Sequence, residues 1–216
     1  MRTLVIGSSG GIGAAVLAAC GPDGVGLSRR DHGLDLTDEA SIARLIGGLD
    51  GSFDRILVAT GALELNGAAP EKSLRSLNPA AMAAQVALNA IGPALVLKHA
   101  LRLLPRDRPS RFAALSARVG SIGDNRLGGW YSYRAAKAAL NQLIHTAAIE
   151  VARSHPLAVV VCLHPGTVAT PLTQKYAGGH AVPPEDAARN LMTVLDALTP
   201  DQSGGFFDWQ GKPVPW

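Results

Sequence analysis

A chain of 216 residues, 47% apolar and 17% charged, suits one α/β domain with its own core, and the composition excludes a disordered or fibrous protein. Twenty basic against 17 acidic residues leave a formal charge of +3. The arginines are scattered, densest at Arg29-Arg30, Arg106 to Arg111 and Arg126, with no aromatics between them, which argues against a nucleic-acid partner.

The chain opens with a four-residue apolar run that Gly7 ends, so residues 3–6 read as a first strand rather than a signal peptide. Gly7-Ser8-Ser9-Gly10-Gly11-Ile12-Gly13 follows and opens a helix over 12–20. Glycines in that place allow a sharp turn, close approach of a pyrophosphate and tight helix-on-strand contact, while the helix N-terminus offers unpaired N–H groups to phosphate. Gly7, Ser9, Gly11, Ile12 and Gly13 are the candidate cofactor contacts of the turn.

A second strand spans 24–28. Its end usually decides which dinucleotide is bound, because a carboxylate there accepts from the ribose 2′-hydroxyl and repels the extra phosphate of NADP. Ser28-Arg29-Arg30 instead suits a 2′-phosphate, which a guanidinium grips with two parallel hydrogen bonds. NADP(H) is therefore favoured, with Ser28 and Arg29 as contacts, although Asp31 would take the carboxylate role if the turn sat one or two residues later. The next strand candidate, Leu34-Asp35-Leu36, follows after only five residues, whereas parallel neighbours need a crossover of roughly a dozen. The third strand and its crossover helix are accordingly expected to be shortened, or the strand paired in some other way.

Helical period over 38–48, beginning beside Thr37, precedes a strand at 54–59; a long helical stretch over 79–104 begins at Asn78-Pro79. A strand at 111–116, a glycine-rich loop over 117–130 and a helix over 131–153 come next. The chain closes with a strand at 157–163, a second working loop over 166–182, a helix over 184–197 and a short strand at 206–208. This alternation predicts an α/β fold, a doubly wound, mostly parallel sheet with helices on both faces, in a single domain over 1–216. Tyr133-Arg-Ala-Ala-Lys137 lies near the start of the 131–153 helix, where i to i+4 spacing puts phenol and ammonium on one face. A lysine charge about 4 Å away contributes on the order of 4 kcal/mol at an effective dielectric of 20, enough to bring a phenol from about 10 to about 7.

Cys20 and Cys162 lack metal or CxxC spacing and read as small core residues in a reduced compartment. His32, His99, His145, His155, His164 and His180 lack metal-ligand spacing, so no metal site and loop or surface roles are expected. No uninterrupted apolar run reaches the roughly 18 residues that a bilayer requires, which points to the cytoplasm and away from a membrane. Trp130, Tyr131 and Trp209 either line a pocket or are simply packed. The apolar face of 135–151 serves either a homo-oligomer contact or the domain's own sheet.

The glycine turn and the Tyr133/Lys137 pair together resemble the short-chain dehydrogenase/reductase family over nearly the whole chain. The family's TGxxxGxG turn is met with Ile6 in the threonine's place, its YxxxK by Tyr133 and Lys137, and its helix asparagine by Asn89. Its PG motif after the sixth strand is met by His164-Pro165-Gly166-Thr167-Val168-Ala169-Thr170, and its adenine-covering aspartate with an apolar neighbour by Asp35-Leu36. Gly120 to Asn125, Gly129 to Arg134 and Gly211 to Trp216 are similar to the subgroup of C-factor and sniffer-type carbonyl reductases. The NNAG motif departs, reading Val58-Ala59-Thr60-Gly61, so support from asparagine comes from elsewhere or is absent. The catalytic serine, usually the second of a Ser-Ser pair, meets Ser116-Ala117, which leaves Ser116, at the rigid strand end, or Ser121.

The resemblance implies a Rossmann-type sheet of about seven strands binding NADP(H) through the turn, Ser28, Arg29, Asp35, Leu36, Gly61, Tyr133, Lys137, Pro165, Gly166, Val168 and Thr170. It implies an oxidoreductase acting on a small carbonyl or alcohol, with Tyr133 giving a proton to the carbonyl oxygen. Lys137 lowers the tyrosine's pKa and holds the nicotinamide ribose, a serine steadies the oxyanion, and Asn89 anchors a proton-relaying water. An NADP(H)-binding regulatory or signalling protein with little turnover is the alternative. An extended-family epimerase fits poorly, since 216 residues leave little room for its substrate domain.

Overall fold

The computed structural model describes residues 1–176 and 180–216, so residues 177–179 of the expected loop 166–182 lie outside the described residues. Six strands pair in parallel among them: β1 (Thr3–Ile6), β2 (Gly24–Leu27), β3 (Arg55–Val58), β4 (Ser110–Leu115), β5 (Ala158–His164) and β6 (Phe206–Asp208), in the order β2-β1-β3-β4-β5-β6. Alternate residues of each strand face opposite sides, and both sides are apolar, as a sheet covered twice requires. Leu4, Ile6, Ile56, Val58, Phe112, Val160 and Cys162 pack toward α3 (Glu39–Gly47), α5 (Gly92–Ala100) and α6 (Tyr131–Val151). Val5, Leu57, Ala113, Val161 and Leu163 face α1 (Gly11–Cys20) and α7 (Pro184–Ala197).

The sheet has six strands, not the expected seven, because 34–36 forms none. A four-residue helix, α2 (Arg29–His32), takes up the chain directly after β2. Ser28 Oγ accepts from Asp31 N at its start, and Gly33 turns left-handed (φ 68°) at its end. Leu34 and Leu36 still point into the core with Asp35 outward, a strand-like alternation without a partner. β2, short and carrying two glycines, is therefore the edge of the sheet.

The stretch read as one helix over 79–104 is divided. α4 (Pro79–Val86), capped by Asn78 Oδ1 on Ala81 N, passes into a π-helical turn at Ala87–Ile91 before α5 resumes. By length and composition Pro79–Leu103 could cross a bilayer, a property that a search for uninterrupted apolar runs missed. Here its two helices pack against α6 and α3. The buried stripe of α6 at Leu140, Ile144, Ala148 and Val151 serves the fold's own core.

Candidate functional site

A cavity of about 530 Å³ opens beyond the C-terminal ends of β1, β3, β4 and β5, within the range of small-molecule and cofactor sites. Its floor is the glycine turn. Gly7 adopts φ 90°, and its N–H and that of Ser8 donate to Leu27 O, pinning the turn to the end of β2. A Cβ at Gly13 would stand 2.2 Å from Gly7 O, a contact no other residue could accept. α1 starts at Gly11 with no side-chain cap, so the N–H groups of its first turn are left for a ligand. A Cβ at Gly11 would fall 2.6 Å from Thr170, which brings the segment after β5 over the helix N-terminus.

Of the expected residues, Ser9, Gly11, Ile12, Gly61, Ser116, Tyr133, Lys137, Pro165, Gly166, Val168 and Thr170 line this one cavity. Gly7 and Gly13 close the turn behind it. Asn89 stands behind Gly61, where a Cβ would meet Asn89 Oδ1 at 2.9 Å and Lys137 Nζ at 3.5 Å. The π turn presents the buried Asn89 to the chain after β3: Oδ1 accepts from Ala62 N at 3.2 Å, while Nδ2 donates to Ala62 O (3.0 Å) and Gln85 Oε1 (2.6 Å). Gln85 Nε2 in turn donates to Leu63 O. Gln85 and Asn89 thus hold the 61–63 backbone, which Val58-Ala59-Thr60-Gly61 has no asparagine to do. Gln85 carried no sequence signal, since it sits one turn before Asn89 in a stretch of ordinary helical composition.

The two serines part company. Ser116, at the end of β4, lines the cavity and its Oγ donates to Asn141 Oδ1 at 2.7 Å, while Asn141 Nδ2 is buried without a partner among the described residues. Ser121 is buried outside the cavity lining and accepts from Asp124 N at 3.1 Å. Tyr133, Lys137 and Asn141 follow one another at single-turn spacing along the buried face of α6.

The electrostatics run against the simple pair picture. Lys137 Nζ lies 5.8 Å from the Tyr133 ring centroid and donates to Leu115 O at 2.8 Å. Both groups are buried, and burial disfavours the charged form of each. It pushes the Tyr133 phenol up to about 12, not down toward 7, and the Lys137 ammonium down to about 8.

At the end of β2, Ser28 Oγ also donates to Asp31 Oδ2 (2.7 Å), and Arg30 Nε donates to Asp31 Oδ1. The Ser28 hydroxyl and the Asp31 carboxylate, which the Ser28 and Arg30 contacts hold below the usual carboxylate range, are engaged with each other. Arg29 is exposed and makes no side-chain hydrogen bond among the described residues. Asp35 accepts from the Thr37 N–H and hydroxyl, and Leu36 is buried beneath it. Ser28, Arg29, Asp35 and Leu36 lie outside the cavity lining.

Two histidines depart from the surface roles expected of them. His155 is buried, and His164 forms part of the cavity wall with Nδ1 buried and unpaired among the described residues, its pKa pushed down to about 4 chiefly by burial. Trp130 and Tyr176 line the cavity as an edge-to-face pair, with centroids 5.3 Å apart, and Tyr176 Oη donates to Glu64. Thr60 Oγ1 is another buried orphan in the wall.

The pattern of a family described as enoyl-(acyl carrier protein) reductase matches residues 22–204. The chain is 32% identical to 1-hydroxy-2-glutathionyl-2-methyl-3-butene dehydrogenase of Rhodococcus sp. (strain AD45), over 99% of this chain and 98% of that one. It is 38% identical to C-signal of Myxococcus xanthus, over 67% of this chain and 84% of the relative. Among solved structures, carbonyl reductase Sniffer of D. melanogaster superposes with a TM-score of 0.84 at 18% identity, covering 100% and 99% of the two chains. An NADPH-bound carbonyl reductase from chicken fatty liver gives 0.83 at 22%, covering 100% and 94%. At such identities the two structures speak to the fold alone.

Proposed function

This chain belongs to the short-chain dehydrogenase/reductase family, and from that premise we propose that it is an NADPH-dependent oxidoreductase that reduces an aldehyde or ketone to an alcohol. The observation that carries the reading is the convergence of the glycine turn, Ser116, Tyr133, Lys137 and the Pro165–Thr170 segment on one cavity. The residues fit a dinucleotide: the closed turn leaves no room for a side chain at Gly13, and α1 aims uncapped N–H groups at the place of a pyrophosphate. Ser9, Gly11, Ile12 and Thr170 would hold the phosphates, Arg29 a 2′-phosphate, and Lys137 the nicotinamide ribose, with Tyr133 left to face the substrate. Bound there, the reduced nicotinamide supplies hydride to the carbonyl carbon.

Tyr133, whose buried phenol keeps its proton through the neutral range, donates it to the carbonyl oxygen. Ser116, the serine that lines the cavity, steadies that oxygen. Turning the Asn141 amide end for end would place Nδ2 on Ser116 Oγ, satisfy the orphan amide and release the serine proton toward substrate.

Arg29→Ala tests the cofactor assignment. Losing a charge-assisted contact worth about 1.5–3 kcal/mol should raise KM for NADPH roughly ten- to a hundredfold while leaving that for NADH unchanged, read from initial rates with each cofactor. Equal preference before and after the substitution would remove Arg29 from the site.

A second reading, an NADP(H)-binding signalling protein with little turnover, draws on the Ser116 hydroxyl being tied to Asn141 and on the name of the C-signal relative. The intact Tyr133 and Lys137 weigh against it, because binding alone does not require a proton donor.

A further inference from the structure

The helix that carries Tyr133 begins without an N-cap of its own. Gly128, Gly129 and Trp130 enter it through three successive left-handed residues (φ 64°, 66° and 53°), Trp130 offers no capping side chain, and no acidic residue lies in the first turn. The orphan N–H groups of such an end require an acceptor when buried. Glu71, 61 residues earlier in sequence, supplies it: Oε2 accepts from Ser132 N at 3.1 Å, Oε1 from the Ser132 hydroxyl, and the Glu71 backbone carbonyl from Trp130 N at 2.5 Å.

Glu71 is only 8% exposed. Burial opposes its charge, but the Ser132 hydroxyl and N–H outweigh it and hold the carboxyl below its usual range, as suits an anion at the positive end of a helix. The segment before it is anchored too, by Gln85 to Leu63 O and by Asn89 to both sides of Ala62. Leu63, at the first of these anchors, lines the cavity together with Tyr133.

We propose that Glu71 is a positioning residue: by capping α6 it fixes Tyr133, the residue after Ser132, and locks the 62–71 segment, whose Leu63 lines the cavity, to the same helix end. The role rests on the reading of Tyr133 as proton donor. Its contacts lie away from the glycine turn, so Glu71 acts on turnover and not on dinucleotide affinity.

The test compares wild type with Glu71→Ala, Glu71→Gln and Tyr133→Phe in the full chain. Glu71→Ala should lower kcat roughly ten- to a hundredfold, as expected for a reacting group displaced by about 1 Å, with the NADPH Kd from fluorescence titration changed less than about twofold. Glu71→Gln keeps an acceptor for Ser132 and should recover most of the loss. Hydrogen exchange supplies a readout independent of turnover: in Glu71→Ala the amides of 131–134 should lose about tenfold of their protection while those of 140–151 keep theirs. Unchanged kcat and unchanged exchange in Glu71→Ala would overturn the proposal, as would a loss that Gln does not restore or that falls equally on NADPH binding. If wild type reduces no carbonyl yet the 131–134 amides open in Glu71→Ala, the capping stands and the reductase reading fails.

Discussion

Tyr133→Phe should bind NADPH with unchanged affinity and melt where wild type melts, yet lose about 10²- to 10⁴-fold in kcat/KM on every carbonyl tried. The stability half follows from packing. The ring is almost wholly buried, and its hydroxyl makes no hydrogen bond among the described residues, so deleting it strands no partner. The kinetic half follows from proton supply. With a phenol near 12, the proton is present at neutral pH and lies against the cavity, and the other candidates among the described lining residues are engaged or neutral: Lys137 donates to Leu115 O, Tyr176 to Glu64, and His164 is neutral with its pKa pushed down to about 4. Initial rates with NADPH and a carbonyl panel, beside a thermal melt, check both halves. Full activity in Tyr133→Phe would remove the assignment.

Lys137→Met is expected to abolish turnover while making the ligand-free protein more stable. A buried ammonium with a pKa of about 8, against 10.5 for the ordinary side chain, costs roughly 3 kcal/mol. The sign follows from linkage. Between about pH 8 and 10.5 the unfolded chain binds the proton that the folded chain has released, so stability rises with pH across that window, and the full cost is present below it. Met removes the charge at similar volume but leaves Leu115 O without its donor, which returns about 1–2 kcal/mol. A net gain of about 1–2 kcal/mol at pH 7, or roughly 2–8 °C in Tm for a chain of this size, is the expected result, shrinking toward pH 10. A lower melting point at pH 7, or a gain that grows with pH, would contradict the burial argument.

Strands and outer helices were legible because their signals are local. The apolar run at 3–6, the helix at 184–197 and the strand at 206–208 match the observed limits, each being bounded by turn residues or a proline at the first helical position. What was illegible depends on partners distant in sequence. Leu34-Asp35-Leu36 has strand alternation, yet whether it finds a neighbour is decided by the two capped ends of the short helix at 29–32, and Ser28 was read for its hydroxyl toward phosphate rather than toward Asp31. The π turn leaves no trace in the periodicity of 79–104, since it shifts the register by a single residue around Asn89.

Within the site, spacing put Tyr133 and Lys137 on one helix face and the family resemblance added Asn89, but spacing misjudged the electrostatics of the pair. The i to i+4 rule gives proximity of side-chain stems, whereas the direction of Nζ is set by Leu115 O and the protonation balance by burial. Ser116 and Ser121 could not be separated by distance from Tyr133 in sequence, and the end of β4 separates them in space. Glu71 was invisible because an acid in a polar loop looks like a solvated one until the helix end it covers is known.

The most direct test of the account measures binding and turnover on the same preparation: NADPH titrated by fluorescence, then its oxidation followed at saturating cofactor with simple aldehydes and diketones. Saturable NADPH binding, weaker NADH binding, and carbonyl-dependent oxidation of NADPH are the expected results. Saturable binding with no oxidation on any carbonyl would contradict the reductase reading and leave a dinucleotide-binding signalling protein in its place.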